Sequence, residues 1–123
     1  MRPVNKRKLG GCYEEKAAAF LTEKGLVIEE RNYRCPLGEI DLIARDGPVF
    51  IFCEVKYRRD RRAGDPAEAV DGHKQQVIFR VASWYMRQRG LAEDTPCRFD
   101  VVAITGEEDS CRLRWVQNAF GGW

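Results

Sequence analysis

The sequence predicts an α/β fold, a central mixed β-sheet of about five strands flanked by helices. Three observations carry this. Strand-like and helix-like runs follow one another in the order α, three β, α, two β. The first three strand-like runs are parted only by short turns, as in an antiparallel meander. The second helix then supplies the crossover that a parallel neighbour requires.

Residues 12 to 24 hold Ala17, Ala18, Phe20 and Leu21 among Glu and Lys, a helix-forming mixture that stops at Gly25, a natural C′ residue. Leu26-Val27-Ile28, Ile40 to Ala44 and Val49 to Tyr57 are rich in β-branched and aromatic residues. Pro36-Leu37-Gly38 and Asp46-Gly47-Pro48 punctuate them. A long amphipathic helix is expected from Asp65 as N-cap and Pro66 at the first helical position, with Val70, Val77, Val81, Trp84 and Tyr85 at helical spacing until Gly90. After the polar break at Glu93 to Pro96, Arg98 to Ile104 and Cys111 to Val116 predict two further strands around a turn at Gly106 to Ser110.

A length of 123 residues suits one domain spanning 1–123, with residues 1–10, carrying Arg2, Lys6, Arg7 and Lys8, expected as a mobile basic arm. At 44% hydrophobic and 33% charged residues, the composition excludes disordered and collagen-like classes. The five cysteines are odd in number, scattered and without a C-x-x-C pair, which argues against a disulfide framework or a zinc knuckle. Reduced thiols in the cytoplasm are expected, with Cys53 as core filler. No apolar run is long enough to span a membrane, and the N-terminus lacks a signal-like apolar stretch, so no membrane partner is expected. A formal net charge of +2 does not by itself mark a nucleic-acid binder; the distribution says more. Positive charge gathers at Arg2 to Lys8 and at Arg58, Arg59, Arg61 and Arg62.

The run Phe50-Ile51-Phe52-Cys53-Glu54-Val55-Lys56 is apolar on both parities and reads as a central strand covered on both sides. Glu54 and Lys56 intrude on it and share one face. Burying such ions costs several kcal/mol each unless they are compensated. In the preceding run Glu39 and Asp41 share one parity, and Ile40, Leu42 and Ala44 the other. With Asp46-Gly47 as a two-residue loop, Arg45 pairs with Pro48, Asp41 lies opposite Phe52 and Glu39 opposite Glu54. All three acids then occupy one face, with Asp41 and Glu54 diagonal neighbours able to share a cation; a three-residue loop would put Asp41 and Glu54 on opposite faces.

Carboxylates without His or Cys are hard oxygen ligands, suited to Mg²⁺ or Mn²⁺. Such an ion polarises a phosphoryl oxygen and lowers the pKa of its water, while Lys56 can orient the attacking water and stabilise charge growing on phosphate. The reaction class is metal-assisted phosphodiester hydrolysis. A structural salt bridge between Lys56 and one acid is the plain alternative.

Asp41, a twelve-residue gap and Glu54-Val55-Lys56 resemble the PD-(D/E)-x-K signature of restriction-endonuclease-like nucleases. Nearly the whole chain is similar to the YraN-like family of small endonuclease-like bacterial proteins, related to Holliday-junction resolvases. The similarity runs through Glu14 with Ala17 to Leu21, Arg31 to Cys35, Gly38 to Ala44, Glu54 to Arg58, Ala69-Val70, Lys74-Gln75, Arg98 to Val102 and Asn118 to Phe120. Two positions depart from the pattern: Tyr13 replaces the glycine that precedes the helix glutamate, and Ile40 stands in place of the proline before Asp41.

The resemblance implies a restriction-endonuclease-like fold in which Asp41 and Glu54 bind metal, Lys56 assists the water and Glu14 completes the site. It implies a DNA endonuclease selective for branched or junction DNA. Further candidates are Glu39, Lys74 and Gln75 at the site, and Arg31, Arg34, Arg58, Arg59, Arg61 and Arg62 as phosphate holders. A homodimer would present two sites to a two-fold junction. The alternative is a catalytically inactive nucleic-acid-binding or protein-interaction module that keeps the nuclease fold.

Overall fold

In a computed structural model, which describes residues 6–59, 70–107 and 110–121, the chain forms α1 (Lys6–Glu23), β1 (Val27–Cys35), β2 (Gly38–Asp46), β3 (Val49–Arg58), α2 (Gly72–Gln88), β4 (Cys97–Thr105) and β5 (Arg112–Phe120). The five strands form one sheet in sequential order, antiparallel throughout except for the parallel pair β3–β4. A meander, a helical crossover and a returning strand are therefore present in the expected order. This is the α/β, restriction-endonuclease-like arrangement.

The sheet separates two cores. On one face Ala17, Ala18 and Leu21 of α1 pack with Leu42, Ile51, Cys53, Val102 and Ile104. On the other, Ile78, Val81, Ala82 and Tyr85 of α2 pack with Ile43, Phe52, Phe99 and Val101. Strand β3 feeds both, and Ile51, Phe52 and Cys53 are fully buried in succession. Each large side chain buried there stabilises the fold by about 1.5–3 kcal/mol, which makes β3 the rigid element from which the site is built.

Both helices begin elsewhere than the sequence indicates. Helix α1 starts at Lys6, six residues before the expected position, so residues 6–10, expected within a mobile arm, are helical; Lys, Arg and Leu there are adequate helix formers. Its end is as expected, for Gly25 adopts φ +95°, its N–H donates to the Thr22 carbonyl (3.0 Å) and that of Leu26 to Leu21 (3.1 Å). Helix α2 starts at Gly72, and Val70 lies before it. Asp71, in an extended conformation, is the N-cap and accepts from the Lys74 N–H at 2.8 Å. The Val70 carbonyl is instead taken by the Gln75 side chain at 3.0 Å. Asp65 and Pro66 lie outside the described residues. Among the described residues no helix is long and apolar enough to cross a membrane.

The β2–β3 hairpin corrects the predicted register. Asp46 pairs with Val49 and Arg45 with Phe50, so the two-residue loop is Gly47-Pro48. Gly47 takes φ +58°, while the proline ring holds Pro48 negative, the pattern of a type II′ turn. A loop at Asp46-Gly47 would have required positive φ at Asp46 and placed Pro48, which has no N–H, in the ladder. Gly38 opens β2 beneath α2 at φ +145°, where a Cβ would stand 2.7 Å from Val77 Cγ1.

Candidate active site

The corrected register slides β3 by two residues relative to β2, which keeps the paired residues from Leu42 to Asp46 on their expected faces. Leu42 pairs with Cys53, the last regular pair of this ladder. Just beyond it the Asp41 and Glu54 side chains meet in a hydrogen bond. The paired ladder ends at Leu42 and Cys53, and the Asp41 carboxylate instead accepts the Val55 N–H at 2.8 Å.

Asp41 sits at a break in strand alternation. Ile40 packs in the α2-side core and Leu42 in the α1-side core, although an unbroken strand would send both to one face, as the sequence predicts. Across from Asp41 on β1, Asn32 adopts φ +51°, between the regular pairs Arg31–Leu42 and Tyr33–Ile40. Asparagine is among the few residues that tolerate this conformation. The Asn32 side chain is hydrogen-bonded to Glu14 of α1, so the irregularity in β1 joins the first helix to the sheet at this point.

Two acids meet here, and Glu14 adds its charge from nearby. Glu54 is almost fully buried, and its Oε2 lies 3.4 Å from Lys56 Nζ and 3.7 Å from Lys74 Nζ. Burial, then the adjacent Glu54 charge and a hydrogen bond with Glu54, push the Asp41 carboxyl up to about 8. Burial and the charges of Glu39 and Glu54 raise Glu14, opposed by the Asn32 hydrogen bond and by Arg34. Like charges in contact cannot both ionise cheaply without a cation.

A second buried carboxylate shows what full compensation looks like. Asp100 of β4 is fully buried and accepts from Arg98 Nε (2.9 Å) and Nη2 (3.0 Å), Trp115 Nε1 (2.8 Å) and the Asn118 N–H (2.8 Å). It pins the irregularity between β4 and β5, where the register shifts and Asn118 takes φ +52°. Asp41, by contrast, has one backbone donor and another acid beside it.

The donor set fits a hard divalent ion. Among the described residues no three His, Cys, Asp or Glu side chains converge as a ready-made cage. Mg²⁺ is commonly held by one or two carboxylates, with waters and substrate phosphates completing the shell. Asp41 and Glu54 in contact meet that need: a cation between them would replace the proton that Asp41 retains.

The remaining sequence candidates divide. Lys74, in the first turn of α2, reaches Glu54, whereas Gln75 secures the backbone of Val70. Glu39 is exposed and paired with Arg34 at 3.1 Å. Arg31 is paired with Glu15, and Arg59 with Glu107 at 3.0 Å. Arg58 donates to the Tyr57 carbonyl at 2.8 Å. Arg61 and Arg62 lie outside the described residues. Asn32 went unassigned in the sequence; its one signal there is an asparagine inside an otherwise extended run.

Comparison with known proteins gives a consistent picture. The model of the uncharacterised protein family UPF0102 matches residues 13–104. A UPF0102 protein of Nitrosococcus oceani is 41% identical over 120 residues, 98% of this chain and 97% of the relative. One from Symbiobacterium thermophilum is 50% identical over 115 residues, 93% of this chain and 97% of its own. Another, from Lachnoclostridium phytofermentans, is 44% identical over 120 residues, 98% of both chains.

Proposed function

The chain belongs to the uncharacterised protein family UPF0102, the YraN-like proteins, and from that premise and the site geometry we propose that it is a metal-dependent endonuclease hydrolysing phosphodiester bonds in DNA. The observation that carries this reading is the contact of Asp41 with Glu54, two acids facing each other at a strand end with Lys56 one pleat away. Structural carboxylates are compensated as Asp100 is; a carboxyl such as Asp41, with one backbone donor and a second acid against it, is the arrangement expected of a cation site.

Asp41 and Glu54 would hold Mg²⁺ or Mn²⁺, with Glu14 adding a carboxylate from the α1 side. When bound, the ion supplies charge neutralisation at the phosphoryl group and a more acidic water. Asp41 is kept in place by the Val55 N–H, so its carboxylate would receive the ion on loss of the proton it shares with Glu54. Lys56, held beside Glu54, would orient the attacking water and stabilise negative charge growing on the phosphate. Lys74 approaches Glu54 from α2, and its ammonium adds positive potential for an incoming phosphate. Branched DNA as substrate and two-fold pairing of chains belong to this proposal on the strength of the family resemblance. A nucleic-acid enzyme with five free thiols is suited to the reducing cytoplasm.

One observation favours a second reading, a catalytically inactive nucleic-acid-binding module: Lys56 and Lys74 already neutralise Glu54 in part. The deciding experiment follows cleavage of labelled linear, flapped and four-way DNA with Mg²⁺, Mn²⁺ or EDTA, alongside Asp41→Ala and Lys56→Ala. Metal-dependent cutting lost in both variants is the expected result. Binding without cutting under every metal would leave the inactive module as the function.

A further inference from the structure

The sheet register brings together basic residues that lie far apart in sequence. Lys56 of β3 is level with Ala103 of β4, and Ala103 with Arg114 of β5. The next row toward the strand ends is Arg58, Thr105 and Arg112. Both rows lie on the α2 side of the sheet. The row before them is Glu54, Val101 and Val116, in which Val101 belongs to the α2-side core and Val116 packs against that core. Steps of two residues preserve the face. The odd-numbered neighbours on β5, Leu113 and Trp115, pack into the α1-side core, as alternation requires for Arg112 and Arg114 to project the other way.

The rows start at the candidate active site and lead away from it. With adjacent strands about 4.8 Å apart, Lys56 and Arg114 stand about 10 Å apart across the small side chain of Ala103. Helix α2 packs against β1 and β2, and its Phe79 meets Phe99 and Phe120 toward the opposite end of β4 and β5. Arg112 and Arg114 are exposed. Beyond Arg58, Arg59 is paired with Glu107 at 3.0 Å.

We propose that Lys56, Arg58, Arg112 and Arg114 form a track for the phosphodiester backbone of a nucleic-acid strand, carrying it from the acidic centre across β4 to β5. The proposal rests on the nucleic-acid reading above and assigns its binding surface. Guanidinium groups suit phosphate because their planar donors grip two oxygens at once. The track reads charge and spacing, so its binding is independent of base sequence. Arg112 and Arg114 extend the phosphate-binding surface from β3 to β5.

The test measures binding of a labelled duplex DNA and a labelled single strand by fluorescence anisotropy in EDTA, where nothing is cut, over a range of salt concentrations. The proteins are wild type, Arg112→Ala/Arg114→Ala, Arg112→Lys/Arg114→Lys and, as a control away from the track, Arg87→Ala at the end of α2. The alanine pair should bind at least tenfold more weakly at low salt. For duplex, its slope of log K against log salt should fall by about 2, since each lost phosphate contact removes about 0.9. The lysine pair should keep most of that slope, and Arg87→Ala should match wild type. Wild-type affinity and slope in the alanine pair would overturn the track. So would equal losses in the lysine and alanine pairs, which would mark a structural role, and so would wild type that binds neither probe at low salt. The hydrolytic reading stands or falls separately, on whether wild type with Mn²⁺ hydrolyses a small phosphodiester such as bis(p-nitrophenyl) phosphate.

Discussion

The ring of Tyr13 in α1 lies on that of Tyr57 in β3, centroids 3.9 Å apart and planes 14° from parallel. Tyr57 in turn donates its hydroxyl proton to the Gly106 carbonyl at 2.8 Å. Tyr13 thus ties the helix turn before Glu14 to the ends of β3 and β4. Tyr13→Ala should cost about 1–3 kcal/mol, since the stack adds about 0.5–1.5 kcal/mol to the apolar area it buries. Tyr13→Phe should cost little. Urea unfolding of both variants, in a double-mutant cycle with Tyr57→Ala, measures the coupling; additive losses would show that the stack contributes no interaction energy.

Stability of the metal-free protein should fall as pH rises. Asp41 keeps its proton to about 8 in the folded chain, against an ordinary value of 3.8. Between those values the folded state binds more protons than the unfolded state, so the stability present below pH 4 is progressively lost toward pH 8. Asp41→Asn, which cannot ionise, should flatten that dependence, and millimolar Mg²⁺ should offset it by binding the ionised pair. Chemical denaturation at pH 5 and pH 8, with and without the ion, checks both. A wild-type profile that rises over this window would contradict the placement of Asp41 against Glu54.

Lys56→Ala should separate binding from turnover. Glu54 retains Lys74 as a partner, so the fold should survive with a small loss of stability. DNA cleavage should fall on the order of 10²–10³-fold, the usual effect of removing one preorganised donor at developing charge. Mn²⁺ affinity measured by calorimetry should change little. A variant with unimpaired cleavage would exclude Lys56 from the chemistry.

Asp100→Ala should be among the most damaging substitutions outside the site. It would leave Arg98 and the Trp115 and Asn118 N–H groups without their acceptor at a partly buried site, at about 2–3 kcal/mol. Thermal melting by circular dichroism reads the loss. A melting temperature within a degree or two of wild type would show that the β4–β5 irregularity does not depend on this carboxylate.

The sequence by itself determined the order of elements, the parallel β3–β4 pair and the double burial of β3. These follow from periodicity and from connection length, which are local properties: the continuous apolar run from Val49 to Cys53 says that both faces are covered, and the helix before β4 says which strand direction is reachable. It also singled out Asp41, Glu54 and Lys56, because charges inside an apolar strand are costly wherever the strand is placed. Only the tertiary structure decided how those residues meet. The hairpin register turned on backbone angles at Gly47 and Pro48, and it shifted the pairing by two residues, so that Asp41, beyond the last regular pair, meets Glu54 through its side chain. Lys74 reaches Glu54 from a helix eighteen residues farther along the chain, Asn32 holds Glu14 from a strand on the other side of Asp41, and Arg114 joins the row of Lys56 across an intervening strand. None of these contacts leaves a periodic trace, since each depends on where separate elements come to rest when both faces of one sheet are buried.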